Sequence, residues 1–212
     1  LPATVTIPVG QSSVTVSVAA VNDEAQDGTQ SVIISASAPG YVLDSTTIEV
    51  SDDGDEPVNV VINEFDSDQD GTDTMEFIEL YDGGIGNLPL DGLIVVLFNG
   101  ANDTSYATID LNGQSTNASG FLVLGSAEVP SVTLAIDRFQ LQNGADAIAV
   151  YRDNADNFPT GTFVSADNLV DAVVYGTGEA DAFGLLDTLT PDGFQVDEGS
   201  DNNSNAIARV PD

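Results

Sequence analysis

The residues best suited to chemistry in this sequence are the carboxylates of one short stretch, residues 64–76. Asp66, Asp68 and Asp70 alternate along it, and Gly71 follows directly, which gives the pattern D-x-D-x-D-G. Calcium takes oxygen ligands at roughly 2.3–2.6 Å, and alternating Asp residues in a tight loop supply such ligands. Glycine permits the sharp bend that lets them converge. The stretch predicts a calcium-binding loop, and an exposed acidic hairpin loop is the alternative interpretation.

The stretch differs from an EF-hand. Its twelfth position, counted from Asp66, is Phe77 where an EF-hand has a bidentate glutamate, and its flanks have the pattern of strands. Further carboxylates flank the loop and are candidates to complete the site: Glu64, Asp73 and Glu76. For Glu64, an exposed carboxylate at the end of a strand is the equal alternative.

A second group of carboxylates lies nearer the start of the chain, in two short clusters. Like charges brought close together are costly unless a cation lies among them. If both clusters lie at one end of a sheet, they predict a second calcium site. Calcium there would stiffen the junction between this part of the chain and the part that follows. Two exposed acidic turns are the alternative. The candidate ligands are Asp23, Glu24, Asp27, Asp52, Asp53 and Asp55.

The charge balance limits the classes of partner. The 212 residues include 35 acidic and 3 basic ones, for a formal net charge of -32. Nucleic-acid binding needs a basic patch, and none is present, so nucleic acid is excluded as a partner. No apolar run is long enough to span a bilayer, so we expect no membrane insertion. Bound divalent cations or a saline medium are expected to offset the self-repulsion.

Catalysis is disfavoured by the residue types that the sequence lacks. It has no histidine, cysteine, lysine or tryptophan. The commonest general base, the thiol nucleophile and the usual zinc ligands are therefore missing. The Gly-rich segments 83–86 and 176–178 do not open helices, so they are not expected to bind phosphate. We expect a protein that is not an enzyme.

Alternating apolar and polar residues, separated by Gly, Asn, Asp and Pro, predict an all-β protein without helices. The acidic stretch 52–57 ends in a proline and divides the chain into domains 1–56 and 57–212. The last thirty residues are polar and are predicted to be surface loop. The predicted strands are 4–9, 13–21, 30–38 and 45–51 in the first domain, and 58–64, 76–81, 93–99, 107–110, 120–124, 131–135, 147–151 and 169–175 in the second.

Residues 1 to about 55 resemble the second half of a Calx-beta domain. The resemblance lies in segments 2–13, 20–24, 27–30, 40–41 and 50–55. It implies a small β-sandwich whose acidic clusters, at one end, hold calcium. The first half of such a domain is not in this sequence, so we expect the sandwich to be incomplete.

The second domain resembles a bacterial lamin tail domain. The matching segments occur in the family's order: 61–64, 73–81, 90–92, 96–100, 141–147, 169–176 and 208–212. The resemblance implies an Ig-like β-sandwich and a non-catalytic role in attachment or assembly within secreted bacterial proteins. Arg209 matches an arginine near the end of such domains and is predicted to pair with a carboxylate and hold the C-terminal segment. An exposed pair of little energetic value is the alternative.

Together these patterns predict a non-catalytic, extracellular, calcium-binding structural or adhesion module of a larger secreted or cell-surface bacterial protein. Its partner would be another surface protein or a polysaccharide. The alternative is a self-assembling subunit of an extracellular filament or sheath. In that case, the incomplete first domain would be completed by strand exchange between copies of the chain.

Overall fold

The computed structural model describes residues 4–19, 29–50, 60–69, 72–136, 141–198 and 206–210. The chain divides into two compact units, Leu1–Val58 and Asn59–Asp212. Most of the regular secondary structure in the described residues is strand, and the second unit contains two facing sheets, which confirms the all-β, Ig-like sandwich class. Among these residues, no helix has the length and apolar character that a bilayer crossing requires.

The described part of the first unit contains one hairpin. Strand β1 (Gln30–Ala36) pairs antiparallel with β2 (Asp44–Val50). The strands predicted at 4–9 and 13–21 are wrong where they are described, because residues 4–19 lie outside any strand. Alternation marks a segment that fits a half-buried strand, but a strand forms only where its backbone groups find a paired neighbour.

The second unit contains all eight strands predicted for it, with ends that shift by up to three residues. Two short strands near the C-terminus were not predicted. The strands are β3 (Val61–Asp66), β4 (Phe77–Tyr81), β5 (Leu93–Asn99), β6 (Thr104–Asp110), β7 (Phe121–Gly125), β8 (Leu134–Ala135), β9 (Asp146–Arg152), β10 (Leu169–Gly176), β11 (Val196–Asp197) and β12 (Ile207–Ala208). They form two sheets, with the orders β12-β3-β4-β7-β8 and β11-β10-β9-β5-β6.

The prediction of a strand-and-loop chain ending in surface loop is wrong for the C-terminal part. Helix α1 (Phe183–Leu189) buries Leu185, Leu186 and Leu189. It packs against β10 and β9 and belongs to an apolar cluster that includes Ile94, Val96 and Phe98 of β5. This cluster covers one face of the sheet and the other face lies within the sandwich, so every residue of Leu93–Phe98 is buried. A helix of seven residues is too short to produce a recognisable periodic stripe, so its stability comes from this packing.

Arg209 holds the C-terminal segment as predicted. It follows β12, and its guanidinium forms an ion pair with Asp171 of β10. Its backbone N–H donates to Asn63 O of β3 at 2.7 Å. The residue therefore connects strands of both sheets.

A candidate cation site

The centre of the candidate site is Glu76, which directly precedes β4. Its side chain is only 1% exposed. Oε1 accepts a hydrogen bond from Leu141 N at 3.1 Å, whereas Oε2 has no hydrogen-bond partner among the described residues. The backbone here is fixed, because Ser126 N donates to Glu76 O at 3.0 Å. A buried carboxylate oxygen without a partner is costly, so it indicates a missing cation, proton or water.

Two parts of the fold bring further carboxylates to Glu76. Asp66 ends β3 and pairs with Phe77 in the β3–β4 ladder, so the hairpin places it next to Glu76. Glu198 directly follows β11 and is 6% exposed. Its carboxylate accepts from the backbone N–H of Ser67 at 3.2 and 3.3 Å and from the Ser67 hydroxyl. The residue that follows β11 therefore contacts the segment that directly follows β3.

The electrostatics show how much negative charge has accumulated. The pKa of Glu76 is raised to about 8, mainly by burial and then by the charge of Asp73, with smaller contributions from Asp66 and Glu198. The hydrogen bond from Leu141 N–H opposes this rise. Burial also raises the pKa of Glu198 to about 7, despite its bonds to Ser67. Burial is the main cause of the raised pKa of Asp66 as well. A cation bound nearby would favour the ionised form of each of these carboxylates and so lower its pKa.

Two side-chain amides organise the loop between β3 and β4. The first, Gln69, donates to Asp66 Oδ1 at 2.9 Å and from its backbone N–H to Asp73 Oδ1 at 3.0 Å. The second, Asn143, donates from Nδ2 to Asp68 Oδ1 at 3.3 Å and to Asp73 Oδ2 at 3.2 Å. These bonds hold carboxylates of like charge in place.

The structure places the predicted ligands in different surroundings. Asp66, Asp73 and Glu76 lie close enough for their charges to interact, and Asp68 shares the Asn143 amide with Asp73. Glu64 lies opposite Glu79 in the β3–β4 pair, and burial raises its pKa, followed by the charges of Glu79 and Asp66. The remaining candidates lie outside the described residues: Asp23, Glu24, Asp27, Asp52, Asp53, Asp55 and Asp70.

The described residues alone do not form a complete coordination shell. Within the described ranges, no group of three or more carboxylates converges as a metal ion requires. Glu198 and Asn143 were missed by sequence reasoning, because they lie far along the chain from the loop. The one available signal was the position of Asn143 in segment 141–147, which contributes to the lamin-tail resemblance.

The Gly-rich loop after β4 binds an internal carboxylate. Gly84 N and Ile85 N donate to Asp82 Oδ1 at 2.9 Å, and Gly86 N donates to Oδ2 at 3.0 Å. Thr116 Oγ1 donates to Oδ2 at 2.6 Å. The backbone donors that a phosphate would require are thus already used by Asp82, which is buried.

Comparison with known proteins gives no match. No protein-family model matches it, and no curated protein and no solved structure matches it significantly. The chemistry of the site therefore rests on its own geometry.

Proposed function

We propose that this chain is a non-catalytic, calcium-stabilised β-sandwich module of a secreted or cell-surface protein. Calcium binds at Glu76, and Asp66, Asp73 and Glu198 supply the surrounding negative charge. The supporting observation is the buried Glu76 Oε2 atom, which has no hydrogen-bond partner among the described residues and lies among other carboxylates.

The ligand chemistry favours calcium over other metals. Every candidate ligand is an oxygen atom, and the sequence has no histidine or cysteine for zinc or copper. Magnesium demands near-ideal octahedral geometry, whereas calcium accepts irregular sets of carboxylate, carbonyl and water oxygens. Ligands drawn from a hairpin, a loop and the C-terminal segment fit the less demanding ion.

A calcium ion at this position would act as a cross-link. It would join the β3–β4 hairpin, which carries Asp66 and Glu76, to the segment that follows β11, which carries Glu198. Extracellular calcium modules bind with dissociation constants of about 10⁻⁴–10⁻³ M. Such an affinity suits a protein outside the cell, where the rigid module would attach to another surface protein or a polysaccharide. Membership of the lamin tail family, preceded by a Calx-beta half, is part of this proposal.

Thermal melting tests the calcium site. A ligand that binds only the folded state stabilises it by about 2.7 kcal/mol when present at 100 times its dissociation constant. We expect calcium to raise the melting temperature of the wild type relative to chelator. Glu76→Gln should abolish most of this increase, whereas Glu128→Gln, at an exposed position, should retain it. Equal melting temperatures for the wild type with calcium and with chelator would refute the proposal.

A self-assembling filament subunit is the second candidate function, and one observation favours it. The register of β1 and β2 places Val32 and Ile34 on one face with Ile48 and Val50. Val32 is 43% exposed and Ile48 is 38% exposed, so the described residues cover this apolar face only in part. Sedimentation velocity tests this candidate: concentration-dependent oligomers that Val32→Asp removes would support it, and a monomer at every concentration would exclude it.

A further inference from the structure

A second buried carboxylate oxygen without a partner lies at the start of β9. Asp146 is 2% exposed, and its Oδ1 accepts from Gly100 N at 2.9 Å. Its Oδ2 atom has no hydrogen-bond partner with good geometry among the described residues. Asp146 was not among the predicted ligands, and it belongs to neither the β3–β4 hairpin nor the C-terminal segment. Like Glu76, Asp146 is a buried carboxylate with one oxygen that needs a cation, a proton or a water, but it lies at a separate position.

Besides burial, the negative charge of a second carboxylate, Glu179, affects the pKa of Asp146. Burial raises the pKa of Asp146, the N–H groups of Gly100 and Gly144 oppose this, and the negative charge of Glu179 raises it further. Glu179 is held by Thr177, whose backbone N–H donates to Oε2 at 2.9 Å. The two carboxylates therefore lie close enough for their charges to interact, and that of Asp146 is buried.

Neutral oxygen atoms complete the surroundings. Thr177 Oγ1 donates to Asn143 O at 2.6 Å and lies 3.2 and 3.3 Å from the two Glu179 oxygens. The hydroxyl proton is directed towards these acceptors, and Oγ1 keeps two lone pairs that a cation can use. Carboxylate, hydroxyl and carbonyl oxygens together are the ligands that hard cations prefer.

Gly144 leaves room beside the free oxygen. A Cβ atom at this position would lie 3.2 Å from Asp146 Oδ2, closer than ordinary van der Waals contact. The backbone of Gly144 does not require glycine, because the residue is not among those with positive φ. What glycine provides here is the space next to Oδ2.

We propose that Asp146 is the buried ligand of a second divalent-cation site of the calcium class, completed by Glu179, Thr177 Oγ1 and Asn143 O. The site shares the loop between β8 and β9 with the Glu76 site, because Asn143 Nδ2 donates to Asp68 and Asp73. Both buried carboxylates also affect the hydroxyl of Tyr106. Its pKa is raised to about 12, mainly by burial and in addition by the negative charges of Asp146 and Glu76. The two sites are neighbours with separate ligands.

Terbium luminescence and calcium stoichiometry test the proposal. Terbium replaces calcium at oxygen sites and emits when a nearby tyrosine is excited, and the chain has five tyrosines and no tryptophan. Asp146→Asn should bind one calcium ion fewer than the wild type in isothermal titration calorimetry and should lose a terbium phase. Glu179→Gln, at an exposed residue, should weaken the same phase at least tenfold. Glu128→Gln is the matched control and should titrate as the wild type.

Gly144→Ala separates cation binding from charge. It changes no charge and fills the space beside Oδ2, so we expect the terbium phase that Asp146→Asn removes to weaken at least fivefold. This variant also provides the readout if Asp146→Asn fails to fold. Wild-type stoichiometry and affinity in Glu179→Gln and Gly144→Ala would overturn the proposal.

These experiments can reject the Glu76 site and the Asp146 site separately. Loss of one ion in Asp146→Asn, with no loss in Glu76→Gln, would establish the second site and reject the first. The reverse result would leave the proposed function intact and overturn this inference. Absence of any bound ion in the wild type would overturn both.

Discussion

Arg209 binds Asp171 where β10 of one sheet passes β3 of the other. Arg209 Nη2 lies 2.8 Å from Asp171 Oδ2 and 3.1 Å from Oδ1, and Arg209 Nε donates to Ile62 O at 3.2 Å. Ile62 N in turn donates to Asp171 Oδ2 at 2.7 Å. Burial raises the pKa of Asp171, while Ile62 N–H and Arg209 oppose this. One guanidinium therefore satisfies a mostly buried carboxylate and a strand carbonyl together.

Arg209→Ala is expected to destabilise the second unit, because it leaves Asp171 without its cation. A buried group left unsatisfied costs about 1–3 kcal/mol, and the half-exposed arginine places the loss near the lower end. Urea unfolding measures it. A double-mutant cycle with Asp171→Asn isolates the pair, and a coupling energy of zero would contradict the proposed role.

Asp82→Ala is expected to be more damaging, because three backbone N–H groups and the Thr116 hydroxyl lose their acceptor at once. We expect a loss of about 3 kcal/mol or more in the free energy of unfolding. Asp91→Ala is the matched control: the exposed Asp91 accepts one backbone N–H, from Gly113 at 2.7 Å, and should lose less than about 1 kcal/mol. Equal losses for the two variants would contradict this.

The stability of the metal-free protein is expected to fall as pH rises. The folded state raises the pKa of Glu76 from 4.5 to about 8 and that of Glu198 from 4.5 to about 7. Between these values the folded chain holds protons that the unfolded chain has lost, so stability decreases from about pH 4.5 to about pH 8. Each unit of pKa difference corresponds to about 1.4 kcal/mol.

Urea unfolding of dialysed protein at pH 5, 6, 7 and 8 measures this pH dependence. Glu76→Gln should reduce it, because the amide does not titrate, and saturating calcium should flatten it by replacing the proton. Metal-free protein that becomes more stable from pH 5 to pH 8 would contradict the prediction.

Asn143→Ala is expected to weaken calcium binding more than folding. The side-chain amide bridges Asp68 and Asp73 and is exposed, so its loss removes one hydrogen bond from each carboxylate without leaving a buried group unsatisfied. We expect a fall in calcium affinity of about tenfold, typical for residues that orient ligands, and a change in stability below about 1 kcal/mol. Calorimetry with calcium measures the first and urea unfolding the second; unchanged affinity would exclude an orienting role.

The strands of the second unit follow from local pattern. Segments such as Leu93–Asn99 and Asp146–Arg152 carry apolar runs bounded by turn residues, and both appear as central strands. Arg209 was also predicted from sequence, with its type of partner but without the identity of Asp171. These features depend on residue type and short-range order, which a sequence displays directly.

The sequence by itself determined the β class, the eight main strands and the acidic loop between β3 and β4. Only the tertiary structure decided that Leu185, Leu186 and Leu189 form a helix, because packing on β9 and β10 stabilises it. It also decided that Glu198 meets Ser67, and that Glu76 and Asp146 each keep one oxygen without a described partner. Burial and long-range proximity arise from the packing of distant segments, so no local spacing of residues encodes them.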